Sequence, residues 1–143
     1  MFLGAYTHSL DSKSRLTIPA KYRDYVAPGL VITRHPQGKC LIAMPLAQWE
    51  KKAGEMENLP MTDASSALLR RMFFSAAEDL KPDNQGRILI SQRLREMAGI
   101  ENDVILAGVN SYFELWNPDE WQRTLEPLND PAMMNEMFSA LGI

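Results

Sequence analysis

One pattern occurs twice in this chain, and it governs what the chain can fold into. Residues 10–23, LDSKSRLTIPAKYR, lie over residues 82–95, PDNQGRILISQRLR, at an offset of 72. Asp11 falls on Asp83, Arg15 on Arg87, Ile18 on Ile90 and Arg23 on Arg95. Average residue frequencies would give roughly one identity over such a stretch, so four of fourteen mark a repeat. The likeness runs on. Val31-Ile32 matches Val104-Ile105-Leu106 at an offset of 73, and Met44-Pro45 before Trp49 matches Trp116-Asn117-Pro118 before Trp121. At 143 residues the chain is one compact domain or two small ones sharing a core.

Each copy reads as a strand, a turn, a basic strand, a short helix, two apolar strands and a helix opened by Pro. In the first copy Tyr6–Leu10 is a strand and Asp11-Ser12-Lys13-Ser14 is turn chemistry, with Asp accepting from backbone amides ahead of it. Arg15-Leu16-Thr17-Ile18 then alternates out and in, as a half-buried strand does. This places Lys13 and Arg15 at the tip and shoulder of a hairpin. Pro19 starts a helix over Ala20–Val26 that Pro28-Gly29 ends. In the second copy Asp83–Gly86 is the turn. Ile88-Leu89-Ile90 is apolar on both faces and reads as a more deeply buried strand. Ser91 caps a helix over Gln92–Met97, which Gly99 closes.

Three apolar stripes have helical spacing: Leu46, Trp49, Ala53 and Met56; Leu68, Leu69, Met72, Phe73 and Ala76; and Met134, Met137, Phe138 and Leu141, behind an Asp130 cap with Pro131 at the first helical position. Each packs either on the sheet core or on a neighbouring chain.

Charge is segregated. Residues 1–40 carry six basic residues against two acids, a net of +4; residues 41–143 carry nine against sixteen, a net of −7. A basic end on an acidic body suits an anionic partner docking on one face. Enzyme classes find little support. No Gly-rich phosphate loop, G-x-S-x-G or H-E-x-x-H occurs. His8 and His35 have no catalytic or metal-ligand partner by spacing, and the lone Cys40, in the run KCLIAM, reads as a small buried hydrophobe. Asp11 and Asp83 each have an Arg four residues on, which holds a carboxylate ionised and suits a structural ion pair better than acid catalysis. No metal, cofactor or small-molecule substrate is expected. No apolar run is long enough to cross a bilayer. MFLGAYTHSLD lacks a basic segment leading into an apolar core, so it is not expected to be a signal peptide, and a reducing cytoplasm is the default compartment.

A twisted two-stranded ribbon fits the major groove of B-DNA, where Arg and Lys reach guanine edges or phosphates. Lys13, Arg15, Lys21, Arg23 and Arg87 are the candidate DNA contacts, with Asp11 and Asp83 as structural partners of the two motif arginines. An Arg already oriented by its Asp loses less rotamer freedom on meeting a phosphate. The first copy, with Lys13 and Ser14 where the second has Gln85 and Gly86, is expected to dominate the contact.

MFLGAYTHSLDSKSRLTIPAKYR, DNQGRILISQRLR and FELWNPDEW together resemble the MraZ family of bacterial transcriptional regulators, whose gene heads the division and cell-wall cluster. The resemblance covers almost the whole chain and implies an α+β fold: two AbrB-like swapped-hairpin halves (repeats at 5–47 and 76–119) forming one pseudo-symmetric β-barrel. Helices at 48–75 and 120–143 would follow the halves. It further implies a homo-oligomeric ring of about eight to twelve subunits that binds double-stranded DNA at short direct promoter repeats and represses its own operon. That places the protein in the cytoplasm at the nucleoid. Its D-x-x-x-R positions fall on Asp11, Arg15, Asp83 and Arg87. The competing expectation is a ring-forming, antitoxin-like interaction module that uses its apolar stripes and does not select DNA.

Overall fold

A computed structural model describes residues 1–143. The first half runs β1 (Ala5–Ser9), β2 (Arg15–Thr17), α1 (Ala20–Val26), β3 (Leu30–Arg34), β4 (Leu41–Pro45), α2 (Leu46–Glu57) and α3 (Ala64–Ala76). The second half repeats the order as β5 (Glu78–Leu80), β6 (Arg87–Leu89), α4 (Gln92–Ala98), β7 (Asp103–Gly108), β8 (Phe113–Trp116), α5 (Pro118–Leu125) and α6 (Pro131–Ser139), with a 3-10 turn at Glu126–Asn129.

The strands of each half pair mainly with the other half. A six-stranded antiparallel sheet has the order β1-β7-β8-β4-β3-β5, and β2 pairs with β6 in a separate ribbon. Replacing each second-half strand by its first-half equivalent makes that order a palindrome. The ribbon register centres on Leu16 opposite Ile88, which are equivalent positions, so a pseudo-two-fold axis passes through that pair.

Two expectations are corrected here. First, β1 and β2 form no hairpin ladder. A backbone bond from the Asp11 N–H to the Arg15 carbonyl closes the turn; β1 then joins β7 while β2 joins β6. Pairing with the other half seals Leu16 of β2 in the shared core and packs Tyr6 of β1 against it, which a free two-stranded hairpin could not do. Second, the sheet does not close into a hydrogen-bonded barrel. β1 and β5 remain its edges. The α+β class stands.

The central core contains 18 buried residues. Sixteen of them are eight equivalent pairs, running from Leu16 and Ile88 through Tyr22 and Leu94 to Ala43 and Leu115; Phe2 and Ile100 complete the set. Neither half has this core alone. The offset also drifts further than the sequence suggests. Strand register equates Ile32 with Leu106, an offset of 74 rather than 73. An odd error would put these side chains on the wrong face, whereas Leu30, Ile32, Val104 and Leu106 are all fully buried. Two extra residues between Ala98 and Val104 (99–103), against 27–29 between Val26 and Leu30, are cancelled by a β7–β8 connection of four residues (109–112) against six (35–40) in the first half.

The helical stripes divide. Asp63 caps α3, which buries Phe73 and Ala76, and Phe73 stacks on Trp49 of α2 with ring centroids 5.4 Å apart. The α6 stripe does not reach the core. No helix is long and apolar enough to cross a membrane.

Truncating one member of a core pair opens a cavity shared by both halves. Ile88→Ala should cost about 2–5 kcal/mol, and a urea titration should show both halves unfolding at one lowered midpoint. Two separate transitions would contradict a common core.

Candidate nucleic-acid interface

The two D-x-x-x-R turns are built alike, atom for atom. Asp11 Oδ1 accepts from the Lys13 N–H at 2.9 Å and the Arg15 N–H at 2.8 Å, while Oδ2 accepts from Arg15 Nε at 2.7 Å. Asp83 Oδ1 accepts from the Gln85 and Arg87 N–H groups at 2.9 Å each, and Oδ2 from Arg87 Nε at 2.8 Å. The spacing of four follows from this geometry. One carboxylate spans amides two and four residues ahead and still reaches the guanidinium of the latter. The chain reverses through a left-handed residue, Ser14 (φ 60°) in one copy and Gly86 (φ 74°) in the other.

Each turn also grips the opposite half. The Ile18 N–H donates to the Gly86 carbonyl at 2.8 Å, and the Ile90 N–H to the Ser14 carbonyl at 3.0 Å. These bonds extend the β2–β6 register at both ends. With Leu16 and Ile88 inside, the outer face of the ribbon carries Arg15, Thr17, Arg87 and Leu89. Arg15 and Arg87 are diagonal neighbours there, within reach of one another's long side chains. Only Nε of each is engaged, so both terminal nitrogens of each guanidinium are without a protein partner. The side chains keep 30% and 26% of their surface exposed.

The other candidates take different places. Lys13 is exposed on the first turn and Lys21 is exposed on α1. Arg23 donates through Nε to the Ile18 carbonyl at 2.9 Å and lies over Gly86, where an added Cβ would come within 2.5 Å of that nitrogen. Arg95 repeats the bond to the Ile90 carbonyl at 3.1 Å. Arg23 thus braces the turn across the halves. Arg93, the equivalent of Lys21, is tied to the Ser75 and Ala76 carbonyls and to Glu78.

Leu89 was missed. Far from being buried more deeply, it is 54% exposed on the ribbon's outer face beside the arginines. Its register opposite Arg15 is the signal that assigns it there, and a single strand read alone does not carry it. His35 accepts from the Gln37 N–H and faces Glu114 at 3.2 Å. Cys40 is buried, which pushes its thiol pKa up and leaves it unreactive.

The chain matches the MraZ protein family model, described as antitoxin-like, twice: over residues 1–72 and over 73–137. Proteins named transcriptional regulator MraZ are similar along nearly the whole length. That of Roseiflexus castenholzii is 43% identical over 94% of this chain and 93% of its own. Those of Herpetosiphon aurantiacus and Clostridium beijerinckii are 43% and 41% identical over the full length of both chains. The chain belongs to the MraZ family. Its members are named as regulators of transcription and not as enzymes, and the two matches each contain one Asp–Arg turn.

The carboxyls of Asp11 and Asp83 are held below the ordinary value near 3.8, chiefly by the backbone N–H of Arg15 and Arg87, respectively, with the guanidiniums adding to it. A folded-state pKa lowered in this way contributes stability above about pH 3.8 and loses it as pH falls through the lowered values. Urea midpoints measured from pH 5 downward should therefore fall, and the Asp11→Asn, Asp83→Asn double variant should show a shallower pH dependence. Identical slopes would show that the turns do not favour the ionised carboxylates.

Proposed function

We propose that this protein regulates transcription by binding double-stranded DNA through the outer face of the β2–β6 ribbon. The observation that carries this reading is the pair of guanidiniums on that face. Each is clamped by its own aspartate through Nε and offers free terminal nitrogens to an acceptor. Phosphate oxygens and guanine O6/N7 are acceptors of that kind. Lys13 and Lys21 add solvated positive charge, and Thr17 a neutral donor. Arg23 acts chiefly by steadying the second turn, with its terminal nitrogens available to a nearby phosphate.

In this reading each half is an AbrB-like swapped hairpin, and the two form an intramolecular pseudo-dimer; the palindromic strand order supports it. A single ribbon makes few phosphate contacts and binds weakly at physiological salt. A ring of about eight to twelve subunits on direct repeats one DNA turn apart, about 10 base pairs, raises the effective concentration of each next ribbon. The target is the promoter of the protein's own division and cell-wall cluster, the outcome is repression, and the setting is the cytoplasm at the nucleoid.

Arg15→Ala and Arg87→Ala should each weaken promoter binding at least tenfold. Each should also reduce the slope of log affinity against log salt by about 1 for every phosphate contact removed. Fluorescence anisotropy with the promoter repeats measures both. Unchanged affinity in both variants at physiological salt would overturn the contact. Stable capture of a protein partner with no enrichment of promoter DNA would favour the antitoxin-like module instead.

A further inference from the structure

The α6 helix leaves its apolar stripe uncovered. Met133, Met137, Phe138 and Leu141 are 40%, 50%, 41% and 72% exposed, and no residue of α6 is buried. Four large apolar side chains are thus exposed between residues 133 and 141, three on α6 and Leu141 just past its end, and such clustering marks an interaction surface. On the main body lies a groove of about 650 Å³ between the β3–β4 loop and α3, floored by Leu68, Leu69 and Met72 and edged by Arg34 and Lys39. Leu68 is 66% exposed there, and Arg34 pairs with no acid.

The charges of the two surfaces are opposite. From residue 124 onward the chain carries three acids, Glu126, Asp130 and Glu136, and no basic residue. The groove rim carries Arg34 and Lys39, the latter 3.9 Å from Glu120, and no acid lines the groove itself. We propose that the α6 segment of one subunit docks into the α3 groove of a second copy of this chain, Met137 and Phe138 covering Leu68 and Met72 while Glu136 faces Arg34. Different patches meet in such a contact, so it is head-to-tail and propagates until a ring closes. It rests on the ring assembly proposed above and names the surfaces that build it.

Phe138→Asp and Leu68→Asp change exposed residues on the two surfaces, and light scattering on the full chain reads the assembly. Each variant alone should be a single chain. Mixed one to one, they should form a two-chain particle and nothing larger, because only the intact helix of Leu68→Asp fits the intact groove of Phe138→Asp. That recovery also shows both variants to be folded. If wild type assembles and both variants still assemble, this interface is wrong and the ring reading stands. If both variants are single chains and mixing restores nothing, the helix-into-groove pairing is wrong. A monomeric wild type overturns the ring and the interface together.

Discussion

The short antiparallel contact between β2 and β6 is the interaction on which everything else depends. It places Leu16 against Ile88 on the pseudo-two-fold axis, and both are sealed in the core. These strands come from opposite halves, and the same exchange runs through the remaining strands: β1 onto β7, β5 onto β3 and β4 onto β8. Backbone hydrogen bonds in such a ladder contribute modestly one by one, but an unpaired strand buried in this position would cost far more. The exchange is therefore held in place by the cost of every alternative.

The same contact creates the face proposed to meet DNA. Two arginines distant in sequence become diagonal neighbours because their strands pair about a symmetric register. Their aspartates brace the turns and aim the guanidiniums at once. Each carboxylate satisfies turn amides that would otherwise compete for water, and each fixes one edge of a guanidinium. As exposed ion pairs these contribute little stability. Their value is orientation, since a fork already aimed loses less freedom on binding. The overall charge of −3 is no obstacle, because the acids of the second half lie largely on other elements and local potential steers an anion more than the sum does.

Much of this was legible in the sequence because the same turn chemistry is written twice. The Asp-to-Arg spacing, the turn formers and the flanking alternation specified two equivalent turns, and both helices that follow began and ended where Pro19, Ser91 and Gly99 placed them. What escaped was everything that depends on which strand meets which. A local pattern cannot distinguish a hairpin from an exchange, so Lys13 and Arg15 were expected on a hairpin that does not form. Leu89 looked buried because its own strand is apolar on both faces, yet the partner strand leaves that face open. The offset of 74 at β3 and β7 was hidden by compensating loop changes. The α6 stripe resembles the α3 stripe in sequence, and only packing separates the helix that reaches the core from the one that does not.

Tethered cleavage tests the central claim most directly. Cys40 is buried and unreactive, so a single introduced cysteine can carry an iron chelate that cuts nearby DNA. With the chelate at Thr17→Cys or Leu89→Cys, both on the outer ribbon face, promoter DNA should be cut within each repeat from either position. Cuts arising only from a chelate on the α2–α3 connection, at Met61→Cys, with none from positions 17 and 89, would show that DNA meets another surface.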